Sequence, residues 1–157
     1  MPTTFNSLLA SAGLDPATVR VLRHQDRRSD KDRTPYRLWR DAPEDFETYQ
    51  SRQTLKNARI LEGASYWAVF VVTPDNQTLF VGLYKAGKPK PGKMGVPNVA
   101  VRGAVEDEPY MVFPLEKSDL LADFDSKLII DWGKGFLAWI QHADRKNKDV
   151  LSNGYNI

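Results

Sequence analysis

The chain contains no cysteine. Disulfide bonds, zinc sites built on thiolates and cysteine nucleophiles are therefore excluded, and a cytoplasmic location is favoured. There are only two histidines, His24 and His142, and they lie far apart in the sequence. A histidine with neither cysteine nor paired acids nearby is more often a surface or hydrogen-bonded residue than a catalytic or metal-binding one. We therefore expect no metal and no cofactor.

Long apolar runs are also lacking. No stretch reaches the roughly 18–20 apolar residues that a membrane-spanning helix needs. The N-terminus has no basic region followed by a long apolar run, which is the pattern of a signal peptide. We therefore expect no membrane contact.

Recognisable enzyme motifs are scarce. The Gly133-Lys134-Gly135 turn lacks the rest of a phosphate-binding loop, and no serine occupies a nucleophile elbow. Asp119, Asp123 and Asp125 do not have the spacing of a calcium loop, so a solvated acidic helix face is the favoured interpretation. Catalysis by this chain alone is therefore not predicted.

The composition is that of one globular domain. The chain has 157 residues, 41% hydrophobic and 27% charged, which suits a single domain over 1–157. The net charge is only +2, so any charged partner must be inferred from how the charges are distributed.

Residues 66–84 form the stretch around which the fold is expected to be organised. Two apolar runs rich in β-branched and aromatic residues flank residues 73–77, where Pro74, Asp75 and Asn76 favour a tight turn. The runs are nearly continuous instead of alternating, which indicates a hairpin covered on both faces. We expect this hairpin to be the centre of a sheet.

Weaker patterns surround the hairpin. Helices are predicted within residues 4–13, from Thr34-Pro35 onward, over residues 43–55 and, as a turn or two, over 118–124. Strands are predicted at 18–23, 110–114, 127–132 and 150–151, while 136–140 suits a helix or a bent strand. The expected fold is α+β, with a central, mostly antiparallel and barrel-like sheet flanked by helices.

The charges are unevenly distributed. Residues 23–40 and the Gly/Pro/Lys-rich loop 85–102 are basic, whereas 106–125 is acidic. Basic residues on loops close to glycines suit contact with phosphates, although a solubilising surface is the alternative for either loop alone. Two such loops flanking one sheet favour nucleic acid.

Aromatic residues give a second indication. The chain has four tryptophans, and most large aromatics should be core residues. Trp132 lies at the end of a predicted strand beside two glycines, where its ring could stack on a base. Residues 49–53 carry hydroxyls and amides of the kind that read base edges.

The sequence has two resemblances to known protein families, one in the hairpin and one in four segments taken together. The hairpin itself, through Ser65-Tyr66-Trp67 and Phe80-Val81-Gly82, resembles the GIY-YIG nuclease signature, but no arginine-bearing helix follows it. Four segments together resemble the N-terminal domain of bacterial two-domain proteins in which a GIY-YIG nuclease domain follows. They are Arg23-His24-Gln25, Tyr49-Gln50-Ser51-Arg52-Gln53, Phe80-Val81-Gly82-Leu83-Tyr84, and Asp131-Trp132-Gly133-Lys134-Gly135 with Trp139.

The second resemblance implies a targeting module for a restriction-type nuclease in antiviral defence, with a PUA-like barrel. No nuclease motif follows Ile157 in this sequence, so the nuclease domain is expected in cis in a longer chain or in trans. The expected ligand is DNA carrying a modified cytosine, which such readers flip into an aromatic pocket. Two alternatives remain open: a divergent nuclease that acts through the hairpin, and a protein-interaction domain.

These expectations assign residues to two sets. The base pocket is predicted to contain Tyr49, Ser51, Gln53, Tyr66, Trp67, Asp131, Trp132 and Trp139. The phosphate-binding residues are predicted to be Arg23, Arg27, Arg28, Lys85 and Lys134.

Overall fold

The computed structural model describes residues 3–25, 34–93, 109–134, 139–145 and 147–156. Within them the chain forms an α+β fold in which a curled sheet makes a half-barrel flanked by four helices. The α+β prediction is confirmed, whereas the PUA-like identity of the barrel stays a prediction. None of the helices in these ranges is long and apolar enough to cross a membrane.

The described helices and strands follow one another in a mixed order. The helices are α1 (Phe5–Ser11), α2 (Pro35–Asp41), α3 (Pro43–Ser51) and α4 (Leu55–Leu61), with 3₁₀ turns at Pro16–Thr18 and Ala122–Phe124. The strands are β1 (Val19–His24), β2 (Arg52–Thr54), β3 (Tyr66–Val72), β4 (Thr78–Ala86), β5 (Lys90–Pro91), β6 (Tyr110–Val112), β7 (Leu115–Lys117), β8 (Leu128–Ile130), β9 (Ile140–His142) and β10 (Val150–Asn153).

The main sheet has the described strands in the order β10-β8-β4-β3-β1-β9, and β7 also pairs with β4. It is mixed, because β1 runs parallel to β3 while β9 is antiparallel to β1 and β4 is antiparallel to β3. The parallel pair requires a crossover, which α2, α3 and α4 supply. A separate three-stranded sheet has the order β2-β6-β5.

The hairpin of β3 and β4 lies in the middle of the main sheet, as the sequence predicts. The backbone of Thr73 donates to Gln77 and Asn76 adopts a φ of 62°, which closes the turn at the predicted position. A bulge between Val69 and Phe70 in the pairing register leaves one extra residue on β4, next to Gly82. Gly82 has a φ of 139°, a conformation that side-chain-bearing residues rarely adopt.

The two faces of the sheet are buried in different surroundings. Trp67, Val69 and Val71 face a core that α2, α3 and α4 cover through residues such as Phe46 and Leu61. Ala68 and Phe70 face a second core with Phe5, Leu9 and Trp132. Successive side chains of a strand point to opposite faces of the sheet. Because both faces are buried, the apolar runs in the sequence are nearly continuous.

Several elements differ from the sequence prediction. The helix predicted over 43–55 ends at Ser51, because Arg52–Thr54 pairs with β6 and a new helix begins after Thr54 caps it. β7 was not predicted; it pairs with the end of β4. The basic loop 85–102 begins as strand through Ala86, and its residues 94–102 lie outside the described ranges. The same holds for residues 136–138, while Ile140 begins a strand.

Candidate functional site

His24, the last residue of β1, is the centre of a buried group of aromatic and amide side chains. Its ring centroid lies 5.5 Å from that of Phe46, 5.4 Å from that of Tyr49 and 5.5 Å from that of Trp139. Its Nε2 lies 3.3 Å from Oε1 of Gln50. We call these five residues the His24 cluster. Tyr49 and Trp139 are half-buried, so the cluster reaches the surface at these two rings.

Helix α3 brings three members of the cluster together. It begins with Pro43 in its first turn, followed by Glu44 and Asp45, which suit the positive end of the helix dipole. Phe46, Tyr49 and Gln50 then share one helix face because they are three and four residues apart.

Two backbone contacts fix the remaining geometry. Gln53 is buried and donates from Nε2 to the backbone oxygen of Gln50 at 2.7 Å, which anchors the end of α3. The backbone N–H of Arg23 donates to the carbonyl of Trp139 at 2.8 Å, which holds Trp139 beside β1.

The cluster is electrically neutral at pH 7. Burial lowers the pKa of His24 to about 4, and the hydrogen bond to Gln50 opposes this shift only in part. Next to it, burial raises the pKa of Tyr84, and the carboxylate of Glu47 raises it further. Both side chains are therefore uncharged, and the cluster is suited to hydrogen bonding without net charge.

Three buried polar atoms on this face have no hydrogen-bond partner among the described residues: His24 Nδ1, Gln50 Nε2 and Trp67 Nε1. An unsatisfied buried donor or acceptor costs about 1–3 kcal/mol, and such atoms are rare in native proteins. Two of the three belong to side chains that contact each other within the His24 cluster. The cluster therefore combines aromatic surfaces with polar atoms that make no hydrogen bond of normal geometry among the described residues, although Gln50 is near enough to Tyr84 to oppose the rise of its pKa.

The structure divides the predicted base pocket between the two faces of the sheet. Tyr49 and Trp139 belong to the His24 cluster, and Ser51 and Gln53 follow directly on the chain at the end of α3. Trp67 is fully buried in the same core. Tyr66, by contrast, packs against the core on the other face.

Trp132, a predicted member of the base pocket, packs in the core on the face opposite the His24 cluster. Trp132 is only 5% exposed. The guanidinium carbon of Arg23 lies 5.9 Å from its ring centroid, and Nζ of Lys148 lies 4.4 Å from that centroid. Because both cations and the core cover the ring, it offers no surface for base stacking.

Three of the five predicted phosphate-binding residues lie in the described part of the chain. Arg23 is half-buried and lines a cleft together with Asp131 and Trp132. Lys85 is exposed at the end of β4 and lines another cleft with Tyr66. Lys134 is exposed, while Arg27 and Arg28 lie outside the described residues.

His24 and Gln50 were missed as site residues by the sequence reasoning. His24 was set aside because an isolated histidine is usually structural. Gln50 gave a usable signal: it follows Phe46 by four residues, so an amide falls on the helix face that the aromatic residues mark as buried.

The hairpin that resembles the nuclease signature is a core element. Trp67, Phe80 and Val81 are completely buried. The described residues contain no group of three or more histidines or acids that could hold a metal ion.

No family model, no curated protein and no solved structure matches this chain. The resemblance to the N-terminal domains of two-domain nucleases therefore stays a prediction.

Proposed function

We propose that this domain binds DNA and accepts a flipped-out, modified cytosine at the His24 cluster. It would thereby serve as the non-catalytic specificity module of a restriction-type nuclease, acting in the cytoplasm with a nuclease domain in cis or in trans. One observation carries the proposal. Three of the four segments on which the resemblance rests have side chains in the His24 cluster, where His24 Nδ1 and Gln50 Nε2 are buried and have no hydrogen-bond partner among the described residues.

The aromatic members supply the stacking that a flipped base requires. Unstacking a base from the duplex costs a few kcal/mol, which base readers recover by stacking between aromatic side chains. Stacking on an aromatic side chain is worth about 1–3 kcal/mol per base. Tyr49 and Trp139 are the half-buried rings of the cluster, and a base entering between them would meet His24 and Gln50 with its edge.

The amide and imidazole match the hydrogen-bonding edge of a flipped base. In neutral histidine one ring nitrogen donates and the other accepts. With Gln50 Oε1 facing His24 Nε2, the unpaired atoms are an acceptor, His24 Nδ1, and a donor, Gln50 Nε2. If the amide is turned over, the roles exchange, because His24 Nε2 then accepts and Nδ1 donates.

Either arrangement thus offers one donor and one acceptor. The first suits the amino group and N3 of cytosine, and the second suits the O4 and N3–H of thymine. Adenine and guanine carry the same two patterns, so the pair suits a base edge in general, and selection of the modified cytosine rests on the size of the base and on contacts with its substituent.

The positive charges that would contact DNA phosphates lie outside the His24 cluster. Arg23, Lys85 and Lys134 lie at or near the surface of the described part and would hold phosphates. Their contribution should fall as salt rises, whereas the neutral hydrogen bonds of the cluster should be much less salt-sensitive.

The proposal is tested by titrating matched duplexes, unmodified and with one modified cytosine, at two salt concentrations. Wild-type protein should bind the modified duplex more tightly, and Gln50→Leu should abolish that preference while leaving the weaker binding to plain DNA. Asn153→Leu, which changes an exposed amide on the far edge strand β10, is the control and should behave like wild type.

Other outcomes would support the alternatives. Equal binding of both duplexes by wild-type protein would contradict base reading. Failure to bind either duplex would favour a protein-interaction domain, and metal-dependent cleavage by this chain alone would favour the divergent nuclease.

A further inference from the structure

A cleft lies at the turn end of the hairpin, where Arg23 points to the opposite face of the sheet from His24. It is a cleft of about 490 Å³ between the hairpin turn, the end of β8 and β10, and we call it the Arg23 cleft. Its lining includes Arg23, Thr78, Asp131, Trp132 and Leu151. The volume lies in the range of about 300–1,000 Å³ that is usual for small-molecule sites.

Arg23 brings a positive charge into this cleft, and its hydrogen-bond partners in the described part of the chain are neutral. Its Nε donates to Oγ1 of Thr78 at 2.9 Å, and Nη1 donates to Oε1 of Gln25 at 3.0 Å. Burial lowers its pKa, but an arginine stays protonated at any physiological pH. A half-buried guanidinium without a charged partner among these contacts favours an anion, which it binds through charge-assisted hydrogen bonds.

Trp132 lines the cleft and lies close to a second cation, Lys148. The guanidinium of Arg23 and the ammonium of Lys148 both lie close to its ring, and Nζ of Lys148 also donates to Oε1 of Gln141 at 2.7 Å. Lys148 is itself buried. Two cations on one ring hold positive charge in a partly desolvated place, where it acts more strongly than on an open surface.

Asp131 sets a condition on the ligand. Its carboxylate is exposed at the cleft, and Oδ1 accepts a hydrogen bond from the backbone N–H of Gly133 at 2.9 Å. A carboxylate repels an anion but accepts hydrogen bonds from hydroxyl and amino groups. The ligand must therefore carry an anionic group for Arg23 and a hydrogen-bond donor for Asp131.

From these contacts we infer that the Arg23 cleft binds a nucleotide, with its phosphate on Arg23 and a sugar hydroxyl or base amino group on Asp131. The nucleotide can come from two sources, a free mononucleotide or a nucleotide of a DNA strand. The site is separate from base reading, because Arg23 and His24 are adjacent on β1 and point to opposite faces of the sheet.

The test measures binding of cytidine monophosphate and of an unmodified duplex by calorimetry, with cytidine as the uncharged control. If the ligand is a free nucleotide, the wild-type protein should bind cytidine monophosphate but not cytidine, and Arg23→Met should weaken that binding about tenfold or more. The matched control is Arg59→Met, at an exposed position in the last turn of α4, which should leave that binding unchanged.

If the source is a DNA strand, cytidine monophosphate should not bind measurably. Arg23→Met should then lower the affinity for the unmodified duplex and reduce the slope of its salt dependence by about one. The inference is wrong if Arg23→Met changes neither the binding of the nucleotide nor that of the duplex.

A second pair of variants avoids any effect on folding. Leu151 is 63% exposed at the cleft, so charged residues should be tolerated there. Leu151→Glu should weaken and Leu151→Lys should strengthen binding of whichever ligand is observed, each by several-fold at low salt. Equal binding by both variants would overturn the inference even if Arg23→Met failed to fold.

Discussion

The His24 cluster and the Arg23 cleft share the end of β1 but differ in nearly every physical property. The cluster is neutral, aromatic and buried except at Tyr49 and Trp139, with polar atoms that the described residues leave unpaired. The cleft is open and charged, and its central cation is hydrogen-bonded to neutral groups. One residue step along a strand exchanges the two faces, so the end of β1 places a neutral side chain, His24, on one face and a cation, Arg23, on the other.

The largest expected effect tests whether the cluster is packed and the cleft is not. Phe46 is 1% exposed and meets the His24 ring edge-on, so Phe46→Ala should lower the free energy of unfolding by about 3–5 kcal/mol. Leu151→Ala in the cleft should change it by no more than about 0.5 kcal/mol. Urea unfolding of both variants measures the difference, and similar values for the two would contradict the contrast.

The next effect concerns the neutrality of the cluster. The pKa of His24 is about 4 in the folded chain, against 6.5 when it is unperturbed. Between these values the unfolded chain binds more protons, so stability is complete above about pH 6.5 and falls by about 3 kcal/mol as the pH approaches 4.

Unfolding should be followed from pH 7 to about 5, because most carboxylates titrate at lower pH. His24→Leu should remove this part of the pH dependence, and His142→Asn should keep most of it. A wild-type curve that is parallel to that of His24→Leu would show that His24 is not held neutral.

A smaller effect tests the unpaired atoms. Gln50→Leu removes the partner of His24 Nε2 and should lower the free energy of unfolding by about 1–3 kcal/mol. The double variant His24→Leu, Gln50→Leu removes both polar groups together and should recover most of that loss. If the double variant is as unstable as the sum of the single ones, the two side chains do not form a coupled pair.

The smallest expected change in the free energy of unfolding is for a substitution in the Arg23 cleft. Thr78→Val deletes the hydroxyl that accepts from Arg23 Nε, and water can replace it because Arg23 is only half-buried. The expected loss is about 1 kcal/mol in the free energy of unfolding, whereas Thr78→Ser should retain most of the stability. A loss of several kcal/mol would mean that Arg23 is a buried structural residue instead of a binding one.

The elements that could be predicted from the sequence are those determined by residues close together in the chain. The hairpin of residues 66–84, strand β1 and the start of α2 at Pro35 all rest on local composition, capping or turn chemistry, and all three are present. The parallel pairing of β1 with β3 could not be predicted in this way. It joins Val19 to Tyr66 across the crossover helices, and no local pattern specifies that contact.

The candidate site was only partly predictable for a related reason. Tyr66 and Trp67 were grouped because they are adjacent aromatic residues, yet alternation along β3 sends them to opposite faces. Trp132 was expected at the surface from its glycine neighbours, but its burial depends on Arg23 and Lys148, which are distant in sequence. His24 became a candidate only when α3 was seen to cover it.

The most direct measurement of the central claim is a ¹⁵N spectrum of the histidine side chains with and without a duplex carrying a modified cytosine. The chain has only two histidines, so His24 and the more exposed His142 can be assigned with one variant. Binding should shift the Nδ1 and Nε2 resonances of His24, because an unpaired ring nitrogen gains a hydrogen bond, and should leave those of His142 in place. If the complex forms and the resonances of His24 do not move, the base is not read at the His24 cluster.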